Sequence, residues 1–112
     1  MNEQPKEAPF EMANLFPKHT GLPFVVWISY RGSAKHDVRV KVSSGPKAIP
    51  EDMISVSIRP DIRIVTGTMD TYEFRLLKIW IERNQQTLVS YWEGKIDTVD
   101  ALKALVKLDV KA

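Results

Sequence analysis

The sequence predicts an α+β fold: a four-stranded, mostly antiparallel sheet with a long helix packed on one face and a short C-terminal helix beside it. Three observations carry that reading. Apolar and polar residues alternate with period 2 in several short runs between Leu22 and Val65, the pattern of half-buried strands. Gly32, Gly45, Pro46, Pro60 and Gly67 punctuate those runs as turns. From Asp70 to Gly94 the period changes to that of an amphipathic helix.

The elements follow in order. Residues 1–9 are polar, carry Pro5 and Pro9, and form a flexible N-terminal segment with too little apolar surface to offset the entropy of ordering. Residues 10–108 form a single α+β domain and residues 109–112 a tail. Phe10, Met12, Leu15 and Phe16 make a first apolar cluster, either a short edge element or a flap over the core, ended by Pro17. Leu22–Tyr30 is a strand with Leu22, Phe24, Val26, Ile28 and Tyr30 on one face and Val25, Trp27 and Ser29 on the other. After a turn at Arg31–Lys35, where Gly32 can take positive φ, His36–Ser43 alternates cleanly as a second strand. A five-residue loop pairs Ile28 with Val38 and Val26 with Val40, and so sets Trp27 opposite Arg39 and Val25 opposite Lys41.

Met53–Ile58 is the third strand, with Ile54, Val56 and Ile58 inward and Ser55, Ser57 and Arg59 outward; Ile62–Val65 is the fourth, beyond a turn or kink at Arg59-Pro60-Asp61. Thr68 or Asp70 caps the long helix, and Asp70 with Glu73 three residues on fits a capping box. Its stripe is Leu76, Leu77, Trp80, Ile81, Asn84, Leu88, Tyr91 and Trp92, and Gly94 suits the stop. Asn84, polar within the stripe, marks a bend or a second N-cap if the helix is divided. A last short helix, capped by Asp97 or Thr98, turns Val99, Leu102, Leu105 and Val106 inward.

Composition excludes several classes. The 112 residues suffice for one domain and one core. There is no Cys, hence no disulfide frame, thiolate nucleophile or Cys-based zinc site. The N-terminus lacks the basic and apolar regions of a signal peptide, and no apolar run approaches the ~20 residues that span a bilayer. A cytoplasmic protein without membrane contact is expected. The formal net charge is only +2, but residues 18–66 hold 8 basic and 4 acidic side chains, whereas residues 67–112 hold 7 of each.

The segment Leu22–Gly45, together with Thr68–Leu108 and its Trp80, Asn84, Leu88, Trp92 spacing, resembles a family of small bacterial proteins known only as a domain of unknown function. In that family a strand–turn–strand with a His-rich segment precedes a Leu- and Trp-patterned helix. Members lie beside a second small protein, and a toxin–antitoxin-like pairing has been suggested for them. The resemblance implies a non-enzymatic interaction or regulatory domain, one member of such a two-gene pair. It covers residues 22–108, with an insertion around 49–60. The chain departs from the pattern after the turn, where Lys35-His36-Asp37-Val38 retains one histidine of the family's cluster.

No catalytic set assembles. His19 and His36 show no ligand spacing, so no metal site is expected, and no glycine belongs to a phosphate loop, so no cofactor is expected. His36 and Asp37, adjacent on a strand, point to opposite faces and cannot share a site. One constellation suits a ligand: Trp27 beside Arg39 and Lys41 on the outer sheet face, with Arg31 and Lys35 in the turn and Arg59 and Arg63 on the strands that follow. Phosphates need cations and unpaired bases need flat rings, so this face is a candidate surface for RNA or single-stranded DNA. Phe10, Phe16 and Leu108 form a candidate partner surface for another protein or for a second copy of the chain.

Overall fold

The computed structural model describes residues 12–45 and 49–109. Phe10, the segment 1–9 and residues 110–112 of the tail lie outside them. The elements are β1 (Met12–Leu15), α1 (Pro17–Thr20), β2 (Val25–Ser29), β3 (Arg39–Ser43), β4 (Ile54–Ser57), β5 (Arg63–Thr66), α2 (Thr71–Trp92) and α3 (Thr98–Ala104). The strands form one sheet in the order β1-β2-β3-β4-β5, and every neighbouring pair is antiparallel.

The sheet therefore has five strands, not the predicted four. The extra strand comes from the first apolar cluster. Met12-Ala13-Asn14-Leu15 holds no β-branched or aromatic residue, so its propensity does not mark it as a strand. It is held by the free edge of β2, with Ala13 opposite Ile28 and Leu15 opposite Val26. Pro17 does not simply end this cluster. It begins a single helical turn, the position where a missing N–H costs nothing. The His19 ring closes that turn by accepting from the Phe16 amide at 3.2 Å.

The β2–β3 register also differs from the prediction. Val26 faces Val42, Trp27 faces Lys41 and Val25 faces Ser43, two residues along from the expected pairs. The shift keeps every apolar residue on its face, since side chains repeat every second position. What changes is the connection. β3 begins at Arg39, and His36 and Asp37 belong to the loop, where both take local partners instead of ladder bonds.

Two apolar clusters occupy the two faces of the sheet. The main one joins Val26, Ile28, Val38, Val40, Val42, Val56 and Ile58 to Leu76, Leu77, Trp80, Ile81, Leu88, Tyr91 and Trp92 of α2. Full burial of side chains of this size stabilises by roughly 1.5–3 kcal/mol each, before the entropy of ordering them is subtracted. On the other face Val25, Trp27 and Met53 form a small second cluster, with Met12 and Phe16 against it. Ser55 and Ser57, expected on an open outer face, are buried there. Ser57 Oγ donates towards the Asp61 carbonyl at 2.9 Å.

Helix α2 is continuous through Asn84. Its N-cap is Asp70, whose carboxylate accepts from the amides of Tyr72 and Glu73. Asn84 is buried and does not divide the helix. Its Nδ2 donates to the carbonyls of Trp80 (2.9 Å) and Val106 (3.1 Å), and its Oδ1 accepts from the Val106 amide (2.7 Å). The chain after α3 is thus strapped to α2. Leu108 N then donates to the Thr20 carbonyl at 2.7 Å, beside Gly21 at φ +81°, where an added Cβ would overlap the Leu108 carbonyl oxygen.

The short helix α3 is capped by Asp97, as expected, but its inward stripe is offset. Ala101 is fully buried and Leu108 nearly so, while Val99, Leu102 and Val106 are 57%, 44% and 52% exposed. A small residue at the contact lets α3 approach closely and turns the larger side chains out. Among the described residues no helix is long and apolar enough to cross a membrane.

Candidate functional site

At the end of the sheet where β2 leaves and β3 enters, the outer face opens into a pocket of about 240 Å³. Met12 of β1, Ser29 at the end of β2, the turn Tyr30–Ala34, His36, Arg39 and Lys41 of β3, and Trp92 at the end of α2 line it. Strand alternation places Arg39 and Lys41 on this face, and the two-residue shift in register sets Lys41 directly across from Trp27.

The turn that forms one wall is fixed at several points. Arg31 N donates to the Trp92 carbonyl at 2.8 Å, tying the turn to the C-terminus of α2. Gly32 takes φ +52°, a conformation that L side chains adopt at a cost. The His36 ring stacks on Trp92 with centroids 5.6 Å apart and 26° between planes. His36 Nδ1 lies 2.7 Å from the Asp37 carbonyl. A carbonyl only accepts, so Nδ1 carries the proton and Nε2 presents a lone pair in the neutral ring.

Asp37 and Arg59 form the clamp behind the turn. Arg59 Nε donates to Asp37 Oδ2 at 2.8 Å and Nη2 reaches Oδ1 at 3.2 Å, while Nη2 also lies 3.4 Å from Glu93 Oε2. The hydrogen bonds from Arg59 and from the Val38 amide hold the Asp37 carboxyl below its ordinary value. Lys95 and then Arg59 do the same for Glu93, and the Asp37 carboxylate raises Arg59.

Of the seven candidate nucleic-acid residues, Arg31, Arg39 and Lys41 come together in the pocket. Arg59 is committed to Asp37 and Glu93, Arg63 lies 3.8 Å from Asp61, and Lys35 is exposed but outside the pocket lining. Trp27 is not an open stacking platform. It is 7% exposed, its indole Nε1 donates to Ser43 Oγ at 2.8 Å, and it sits in the second cluster. An indole in the middle of a sheet gains more from burial against Met12 and Phe16 than from standing in water. The candidate partner surface also disperses: Leu108 is buried in the main core, Phe16 is half-buried against Trp27, and Phe10 is outside the described residues.

Sequence reasoning missed His36 and Trp92 as pocket residues. The usable signal was positional: Trp92 is the last aromatic of the long helix, and His36 stands at the mouth of the hairpin loop. No acidic side chain is among the described lining residues, and none of the three cations is in a salt bridge among the described residues, although the Asp37 carboxylate behind the turn feels the charge of Arg31. The described residues contain no group of three or more His, Cys, Asp or Glu that could hold a metal ion. No family model, curated protein or solved structure matches the chain.

Proposed function

We propose that the protein is a non-enzymatic binding module that holds RNA or single-stranded DNA by phosphate at the Arg31–Arg39–Lys41 pocket. The observation that carries this reading is the convergence of three cations, two of them half-buried, on one concave site with no carboxylate among its described lining residues. Like charges gathered around one pocket repel, and an anion bound among them removes that cost. The exposed His36 ring, stacked on the buried Trp92, supplies a flat surface beside it. A nucleic-acid ligand fits the cytoplasmic location that the sequence suggests.

The test is binding of an unstructured oligonucleotide at increasing salt. Affinity should fall as salt rises, because cations that meet phosphate release its counterions. Arg39→Glu with Lys41→Glu abolishes binding; full retention in a folded double variant would overturn the proposal.

A second reading is supported by the exposed apolar residues Val99, Leu102 and Val106 along and just past α3. It makes the protein an interaction domain that docks another protein, the neighbouring gene's product if the resemblance to paired bacterial proteins holds, or a second copy of itself. A single-chain mass across a hundredfold concentration range would exclude the second copy.

A further inference from the structure

We infer that the pocket takes the terminal phosphomonoester of a nucleic-acid strand and not an internal phosphodiester, an inference that rests on the nucleic-acid reading above. The first argument is charge. An internal phosphodiester brings one negative charge, which leaves most of the charge of Arg31, Arg39 and Lys41 uncompensated. A phosphomonoester carries roughly −1.5 to −2 at pH 7 and presents three strong acceptor oxygens, a closer match to three cations. The Ser29 and Ser33 hydroxyls in the lining add donors.

The second argument is room. A pocket of about 240 Å³ falls below the ~300–1,000 Å³ of sites that enclose a drug-sized molecule. It accommodates a phosphate and part of its sugar, not a run of nucleotides. Its lining comes from β1, β2, the following turn, β3 and the end of α2, which makes it a bowl at the sheet's end and not a groove along it. A strand end can enter a bowl and stop, whereas an internal phosphate must have chain leaving on both sides.

The third argument is the position of the rings. A module that tracks a continuous strand needs successive stacking platforms. Among the described residues the outer sheet face offers none, because Trp27 is buried and bonded to Ser43. Beside the cations the exposed ring is that of His36, backed by the buried Trp92, and it offers one face to a single terminal base.

The experiment compares an internally labelled deoxythymidine decamer in three forms: 5′-phosphorylated, 3′-phosphorylated, and hydroxyl at both ends. Fluorescence anisotropy is read at fixed moderate salt. The expected result is at least tenfold tighter binding of one phosphorylated form than of the hydroxyl form. That gain disappears in Arg39→Gln and in Arg31→Gln, whose exposed side chain can be neutralised without disturbing the core, and it persists in Lys35→Gln. Equal binding of all three forms overturns the inference and leaves nucleic-acid binding standing. No binding of any form overturns both. Thymidine monophosphate or inorganic phosphate competing as well as the decamer would replace the strand by a free small phosphate. A phosphoserine peptide competing as well would replace it by a phosphorylated protein.

Discussion

Asp37 accepts two hydrogen bonds from Arg59 and one from the Val38 amide, so its charge is spent on holding the turn that carries His36 and Arg31. This arrangement fixes the sign of an acid response. A carboxylate whose folded pKa lies below its ordinary value contributes stability that is fully present above that ordinary value. The contribution is lost as pH falls through the lowered one. For Asp37 and Glu93 the ordinary values are 3.8 and 4.5, so the clamp holds at neutral pH and is released on acidification below them. Wild type should therefore show a higher urea midpoint than Asp37→Asn at pH 7, and the gap should narrow as pH falls below the ordinary carboxylate range and through the lowered value. A gap that stays the same size throughout an acid titration would show that the clamp owes nothing to the Asp37 charge. Both residues are visible in the sequence, but the clamp is not: Arg59 lies 22 positions from Asp37, and only the fold brings a turn and a strand end together.

At the level of elements, the hydrophobic pattern determines which face a side chain occupies but not which neighbour it meets. A shift of two residues leaves every face unchanged, so alternation cannot detect it. Loop length decides, and loop length here depends on His36 and Asp37 leaving the ladder for Trp92, Val38 and Arg59. The chain has no cysteine of its own, which makes the register easy to read by crosslinking. Val25→Cys with Ser43→Cys should form a disulfide on mild oxidation, because these residues are direct partners. Val25→Cys with Lys41→Cys should not, since a diagonal pair stands about 7–8 Å apart. Ready closure of the second pair would restore the shorter loop. Helix α3 teaches a related point. Its apolar residues at 99, 102 and 106 form a plausible stripe, yet Ala101 is the residue in contact. A seven-residue helix has too few turns for its periodicity to outweigh one small side chain that permits close packing.

For the molecule as a whole, the order of strands and helices was readable because each long run keeps one period. The strand count was not, since β1 is held by the open edge of β2 and not by its own composition. The excess of positive charge between residues 18 and 66 was likewise readable as a sum. Its distribution was not: pairing removes Arg59 and Arg63 from it, while the turn gathers Arg31, Arg39 and Lys41 around one pocket. The same separation divides the molecule into regions that fail in different ways. Gly21 leaves no room for a side chain beneath Leu108, and Asn84 holds Val106 to the long helix. Neither residue lines the pocket. In a cell, substitutions at these two positions should lower the amount of protein, since partly unfolded chains are removed by proteases. Substitutions at Arg31, Arg39 or Lys41 should leave the amount unchanged and remove only what the protein binds. Measured side by side, abundance and phenotype would distinguish the strap that closes the fold from the surface the fold presents.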